Sequence, residues 1–148
     1  MTLQSNLTVA PNGRVVIPAA MRAALGLEGG GRVVARLVDV YPDGRALILT
    51  DGILRARYRN SFSQIELLEP ATIYELHIDL VATANVFKAG HCIRLEVSSS
   101  NFPRFDRNSN TGGSIAQETE AESVIAINWI FHDNERPSYL SLPIIERD

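Results

Sequence analysis

Apolar and polar positions alternate along most of this chain, with the two-residue period of strands that bury one face and wet the other. Tyr74, Leu76, Ile78 and Leu80 alternate with Glu75, His77 and Asp79. Ile93, Leu95 and Val97 repeat the pattern against Arg94 and Glu96, and Ile125, Ile127, Trp129 and Phe131 mark a further strand. Leu140, Leu142 and Ile144 predict a last strand, which Pro143 confines to an edge or an end. Nearer the front, residues 32–38 and 46–49 predict two strands, reversed at Tyr41-Pro42-Asp43-Gly44, where proline and glycine suit a tight turn. Residues 7–9 and 15–17 predict another pair around Pro11-Asn12-Gly13. The period changes once. Pro18 opens and Gly26 stops an alanine-rich stretch, residues 19–25, with Met21 and Leu25 four apart, and this predicts a short helix. Residues 98–122 are polar and predict mostly loop.

Composition changes the picture little, charge rather more. Of 148 residues 45% are hydrophobic and 21% charged, both ordinary for a globular chain, and no apolar run reaches the roughly 18 residues of a membrane span. Residues 1–6 hold neither a basic cluster nor an apolar core of a signal, so a soluble, cytoplasmic protein is expected. The single cysteine, Cys92, excludes an internal disulfide. With His77, His91 and His132 far apart in sequence, no metal or other cofactor is expected. The net charge of −3 is unevenly shared: residues 1–38 carry Arg14, Arg22, Arg32 and Arg36 against Glu28 alone, a balance of +3 that leaves −6 for the rest. A basic front and an acidic back suggest different partners for the two parts, and arginine suits phosphate.

The segment from Leu7 through Gly13-Arg14 to Ile17-Pro18, followed by Met21-Arg22, Leu25-Gly26 and Gly31-Arg32-Val33, resembles the SpoVT/AbrB family over about residues 5–50. That resemblance implies a small swapped-hairpin head, a homodimer and DNA as partner, with Arg14, Arg22, Arg32 and Arg36 as the DNA-contacting residues. Some 45 residues bury too little surface to fold alone, which agrees with pairing. Asn12 and Ala19-Ala20 stand where that family commonly has charges.

A second resemblance begins at Leu37. Asp39-Val40-Tyr41-Pro42-Asp43-Gly44-Arg45, Asp51-Gly52-Ile53-Leu54-Arg55, Asn85-Val86-Phe87-Lys88-Ala89-Gly90-His91 and Arg94-Leu95-Glu96-Val97-Ser98 through Asn101-Phe102-Pro103-Arg104-Phe105-Asp106 resemble the C-terminal domain of X-Pro dipeptidyl-peptidase and cocaine-esterase (CocE/NonD) hydrolases. It implies a jelly-roll-like, galactose-binding-like β-sandwich packed on an α/β-hydrolase domain. The first strands of that sandwich, due before Leu37, have no counterpart by this reading, so the sandwich is expected to be incomplete. The expected organisation is therefore mainly β: a head at 1–38, its strands reaching about 50, and a partial sandwich at 39–148.

No catalytic residue is expected. The chain has no G-x-S-x-G nucleophile elbow, and Gly112-Gly113-Ser114 sits in a polar loop with no helix after it. Ser98 to Ser100 end a strand, where serines bond their own backbone, while Asp106 and His132 have no motif around them. His91 is expected to hydrogen-bond within the sandwich, Arg104 and Asp106 to tie down the loop, and Trp129 to be core. Two functions stay open: a DNA-binding, transcription-regulator-like or antitoxin-like head joined to an assembly sandwich, or an accessory fragment of a serine hydrolase, working beside an α/β-hydrolase catalytic chain or left over from a rearranged gene.

Overall fold

The structure, a computed structural model, describes residues 21–24, 31–114 and 116–145. Its longest element follows from the valine-rich run after Gly31. Strand β2 (Arg32–Val40) lies between β3 (Ala46–Arg55) and β5 (Cys92–Ser98), antiparallel to both. The predicted turn joins β2 to β3: the Gly44 amide donates to the Tyr41 carbonyl at 2.9 Å, and Gly44 adopts φ +88°, which a residue without Cβ takes readily. β3 runs well past the predicted Leu49. Its register skips a residue between Leu37 and Val38, so this edge carries a bulge.

A second sheet is built from β1 (Met21–Ala24), β4 (Ile73–Tyr74) and β6 (Ile127–Ile130), with β1 in the middle. This corrects the helix predicted for residues 19–25. β1 pairs with Ile127–Ile130 along its whole length and with Ile73–Tyr74 on its other side. Met21 and Arg22 are paired on both sides and Ala23 and Ala24 on one, which gives the backbone partners a strand can use, and seven residues are too few for a helix to nucleate alone. It also ties residues 21–24 to the same sheet as residues 127–130, and the expected boundary after residue 38 falls inside β2. The strands predicted at 7–9 and 15–17 lie outside the described residues.

The core gathers Val33 and Ala35 of β2, with Leu76 and Ile78. Leu54, Tyr74, Leu80, Leu95, Val97, Leu140 and Leu142 close around them. The alternation read at residues 74–80 is thus real in its burial, although only Ile73–Tyr74 joins a ladder. Beyond Tyr74 the segment crosses β3 at Gly52, where Thr50 donates its hydroxyl to the Val81 carbonyl at 2.6 Å. Leu140 and Leu142 face the core as predicted, but residues 140–144 pair with no strand. Residues 98–122 are loop, broken by a 3₁₀ turn at Glu120–Glu122 that Thr119 caps reciprocally with Glu122.

Candidate functional site

The loop after β5 bends back over β3 and leaves an open cleft of about 910 Å³. Arg55, Arg57 and Arg107 line it with Asp106, Ser114 and Glu118. Each cation is already engaged. Arg55 Nη2 lies 3.4 Å from Asp106, Arg107 Nη1 lies 2.7 Å from Glu120, and Arg57 Nη1 donates to the Gly113 carbonyl at 2.9 Å. Glu118 accepts from the hydroxyls of Ser109 and Thr111, and these bonds hold its carboxyl below the usual carboxylate range. Among the described residues no histidine lines the cleft. These bonds tie its walls to one another.

Deeper in the sheet the loop is anchored as the sequence implied. Arg104 Nε meets the Asp51 carboxylate at 2.7 Å, and Ser98 donates to the Ser100 carbonyl at 2.9 Å. His91 Nδ1 meets Asp39 at 2.9 Å with both side chains buried, and the Tyr41 ring packs on the imidazole with centroids 4.4 Å apart. This pair fastens the β2–β3 turn to the start of β5. Asp39 was not foreseen as the partner, because 52 residues separate the two.

Of the four arginines expected to contact DNA, the structure describes the side chains of Arg32 and Arg36. Arg14 lies outside the described residues, and Arg22 is placed only by the backbone pairing of β1. Arg32 is 1% exposed, so its guanidinium cannot touch a phosphate from the surface. Its three nitrogens are buried without a hydrogen-bond partner among the described residues. Burial first, and Arg55 across the strand pair second, pull the Arg32 guanidinium below its ordinary value, with Asp106 opposing them. Arg36 is taken by Glu96 at 3.3 Å.

What sequence reasoning missed is on the second sheet. Trp129 is 57% exposed rather than core, Ile127 is 56% and Ile125 92% exposed. Register places Ile73 and Trp129 in one row across β1, both opposite residue 22. Ile73 is also an exposed apolar residue. Ala126, Asn128 and Ile130, the last 41% exposed, line a cavity of about 250 Å³ against Val33 and Val97 of the first sheet. The apolar stripe of β6 therefore faces outward, and contiguous exposed apolar surface of this kind marks a contact site. Among the described residues no helix is long and apolar enough to cross a membrane, and no cluster of potential metal ligands occurs.

Comparison with known proteins gives one coherent result. Residues 4–141 match the X-Pro dipeptidyl-peptidase C-terminal non-catalytic domain. The chain is 56% identical over 113 residues to cocaine esterase of Rhodococcus sp. (strain MB1 Bresler), covering 76% of this chain and 20% of that protein. Among solved structures, an α-amino acid ester hydrolase labelled with selenomethionine superposes with a TM-score of 0.77 at 27% identity, over 94% of this chain and 24% of the other. An aminopeptidase from a marine sediment Thaumarchaeota archaeon gives 0.73 at 27%, over 90% of this chain and 24% of the other. The chain thus spans about a fifth to a quarter of the proteins it matches. The family match starts at residue 4, so the front of the chain falls within the domain, and the expectation that the sandwich has no counterpart before Leu37 is corrected.

Proposed function

Since this chain belongs to the X-Pro dipeptidyl-peptidase C-terminal non-catalytic domain family, we propose that it is the accessory β-sandwich of a cocaine-esterase-type serine hydrolase, packed against an α/β-hydrolase domain that carries the nucleophile. The family match across residues 4–141 carries this reading. The outward apolar stripe of Ile125, Ile127 and Trp129 supports it, because that stripe is the surface a catalytic domain would cover. In this role the domain does no bond chemistry. It shields the apolar flank of its partner and raises the partner's stability by binding only its folded form.

The test uses the full 148-residue chain and the α/β-hydrolase portion of a cocaine esterase expressed without its C-terminal domain. Sedimentation velocity is expected to show a one-to-one complex, and the half-life of ester hydrolysis at elevated temperature is expected to lengthen when the chain is added. Trp129→Asp should weaken the complex at least tenfold, since a tryptophan in the middle of an interface commonly dominates it. Absence of association at about 100 μM of each chain, a concentration at which even weak specific contacts register, defeats the proposal.

A further inference from the structure

The cleft over β3 has spent its acceptors and kept its donors. Asp106 is taken by Arg55, Glu120 by Arg107, and Glu118 by the hydroxyls of Ser109 and Thr111. Arg57 is different. It is 8% exposed, and its Nη1 donates to a neutral group, the Gly113 carbonyl. No ion pair reaches it among the described residues, so its charge has no counter-ion at close range. Glu118 feels that charge, but its carboxyl is held down chiefly by the two hydroxyls. The other guanidinium nitrogens of Arg57, unlike those of Arg32, are not sealed from water, and the residue lines the cleft. A guanidinium this buried is ordinarily paired with an anion.

The remaining walls favour the same kind of occupant. Tyr58, Ser114 and Ser123 line the cleft, and their hydroxyls have no hydrogen-bond partner among the described residues. The Tyr58 ring, Ile65 at 57% exposed and Ala116 supply apolar surface. Apolar walls with a few unsatisfied polar groups are the usual make-up of a small-molecule site, and about 910 Å³ is ample for one. We propose that this cleft binds an organic carboxylate with an apolar body. The carboxylate meets the fork of Nε and Nη2 on Arg57, which Nη1 holds in place through Gly113, and the body lies on Tyr58 and Ile65. Inorganic phosphate would satisfy the donors but cover neither Tyr58 nor Ile65. The exposed pairs Arg55–Asp106 and Arg107–Glu120 contribute little where they stand and can give way at the rim. None of these residues belongs to β6, so the site can fail while the hydrolase reading stands, and the reverse.

The test is a titration of the nitrogen-15-labelled 148-residue chain with 3-phenylpropionate, followed through its amide and arginine Nε–H signals. Saturable shifts are expected at Arg57, Gly113 and Ser114, with a dissociation constant on the order of 1 mM for so small a ligand. 3-Phenylpropanamide, which lacks the charge, should bind at least tenfold more weakly. Arg57→Gln, which keeps a donor for the Gly113 carbonyl, should lose at least tenfold in affinity for the acid. Ile65→Glu alters an exposed side chain, leaves the fold intact and should lose as much. Acetyl-alanyl-phenylalanine separates the two sources of such a carboxylate: binding at least tenfold tighter than phenylpropionate assigns the site to a peptide carboxyl terminus, and equal or weaker binding assigns it to a free acid. The proposal is overturned by the absence of saturable shifts at about 10 mM acid, ten times the expected constant. Equal binding of the amide, phosphate binding as tight as that of the acid, or affinity indifferent to Ile65→Glu overturns it as well.

Discussion

Gly52 is where the two halves of the core touch most closely. A Cβ built on it would lie 2.1 Å from the Asp79 carbonyl oxygen, 3.0 Å from the Asp79 carbonyl carbon and 3.2 Å from Cγ2 of Ile78. Non-bonded heavy atoms settle at about 3.5 Å, so Gly52→Ala demands that the backbone at Asp79 retreat by more than an ångström. That backbone cannot retreat alone. Leu76 and Ile78, each 1% exposed, sit on the same segment, and the Thr50 hydroxyl holds it at Val81. Overpacking of this kind costs about 1–3 kcal/mol, and exposing part of Leu76 and Ile78 adds roughly 1–2 kcal/mol more. The opposing gain, the entropy an alanine removes from the unfolded chain, is only about 0.4–1 kcal/mol. Net loss is therefore about 2–4 kcal/mol.

Urea unfolding followed through the fluorescence of the single tryptophan, Trp129, gives the difference directly from the midpoint. Gly44→Ala is the control. Nothing lies within 4 Å of its Cβ, and its φ of +88° costs about 1–2 kcal/mol from backbone strain alone. The ordering of the two variants is the test: if Gly52→Ala unfolds at the same urea concentration as the unaltered chain, the close crossing of residues 76–81 over β3 is wrong.

Two further outcomes are expected. Arg32→Met should stabilise the domain by about 1–3 kcal/mol, because it removes a buried guanidinium whose nitrogens have no acceptor among the described residues and keeps the aliphatic stem; a loss of stability in the same urea assay would show that the charge is used. Glu118, with its folded pKa depressed by Ser109 and Thr111, holds the loop from 109 to 118 fully at neutral pH, and that hold is lost as pH falls from the ordinary glutamate value through the depressed one. Amide exchange at Gly113, whose N–H donates to the Thr111 hydroxyl at 3.2 Å, should accelerate over that acidic range once the intrinsic pH dependence is divided out, and Glu118→Gln should flatten the change.

How far the sequence could be read depended on which physical quantity carried the signal. Period-two alternation correctly located β2, β5 and β6, and it placed Leu76 and Ile78 on a buried face even though no ladder forms there. Alternation reports faces, not hydrogen-bond partners, which is why residues 140–144 also looked like a strand. At residues 21–24 alanine content suggested a helix, but propensity over so short a stretch is worth little against two sheet partners, and the tertiary structure decided. The strand-turn-strand cue around Pro11-Asn12-Gly13-Arg14 fits any tight hairpin, so it could suggest a DNA-binding head without distinguishing one from the opening of a β-sandwich. The Asp39–His91 and Asp51–Arg104 pairs join residues about fifty positions apart, and spacing does not reveal such meetings.

Trp129 shows the remaining gap most clearly. Its strand alternates large apolar residues with Ala126, Asn128 and Ile130, and a soluble sheet would turn the large ones inward. Here Ile125, Ile127 and Trp129 are each more than half exposed, while Ala126, Asn128 and Ile130, the last still 41% exposed, line the gap between the sheets. On the proposed reading the outer cover is the α/β-hydrolase domain, and its binding adds to stability in proportion to the logarithm of its concentration over its dissociation constant. Stability of the isolated chain should accordingly rise on adding the hydrolase portion, with Trp129→Asp removing that increment.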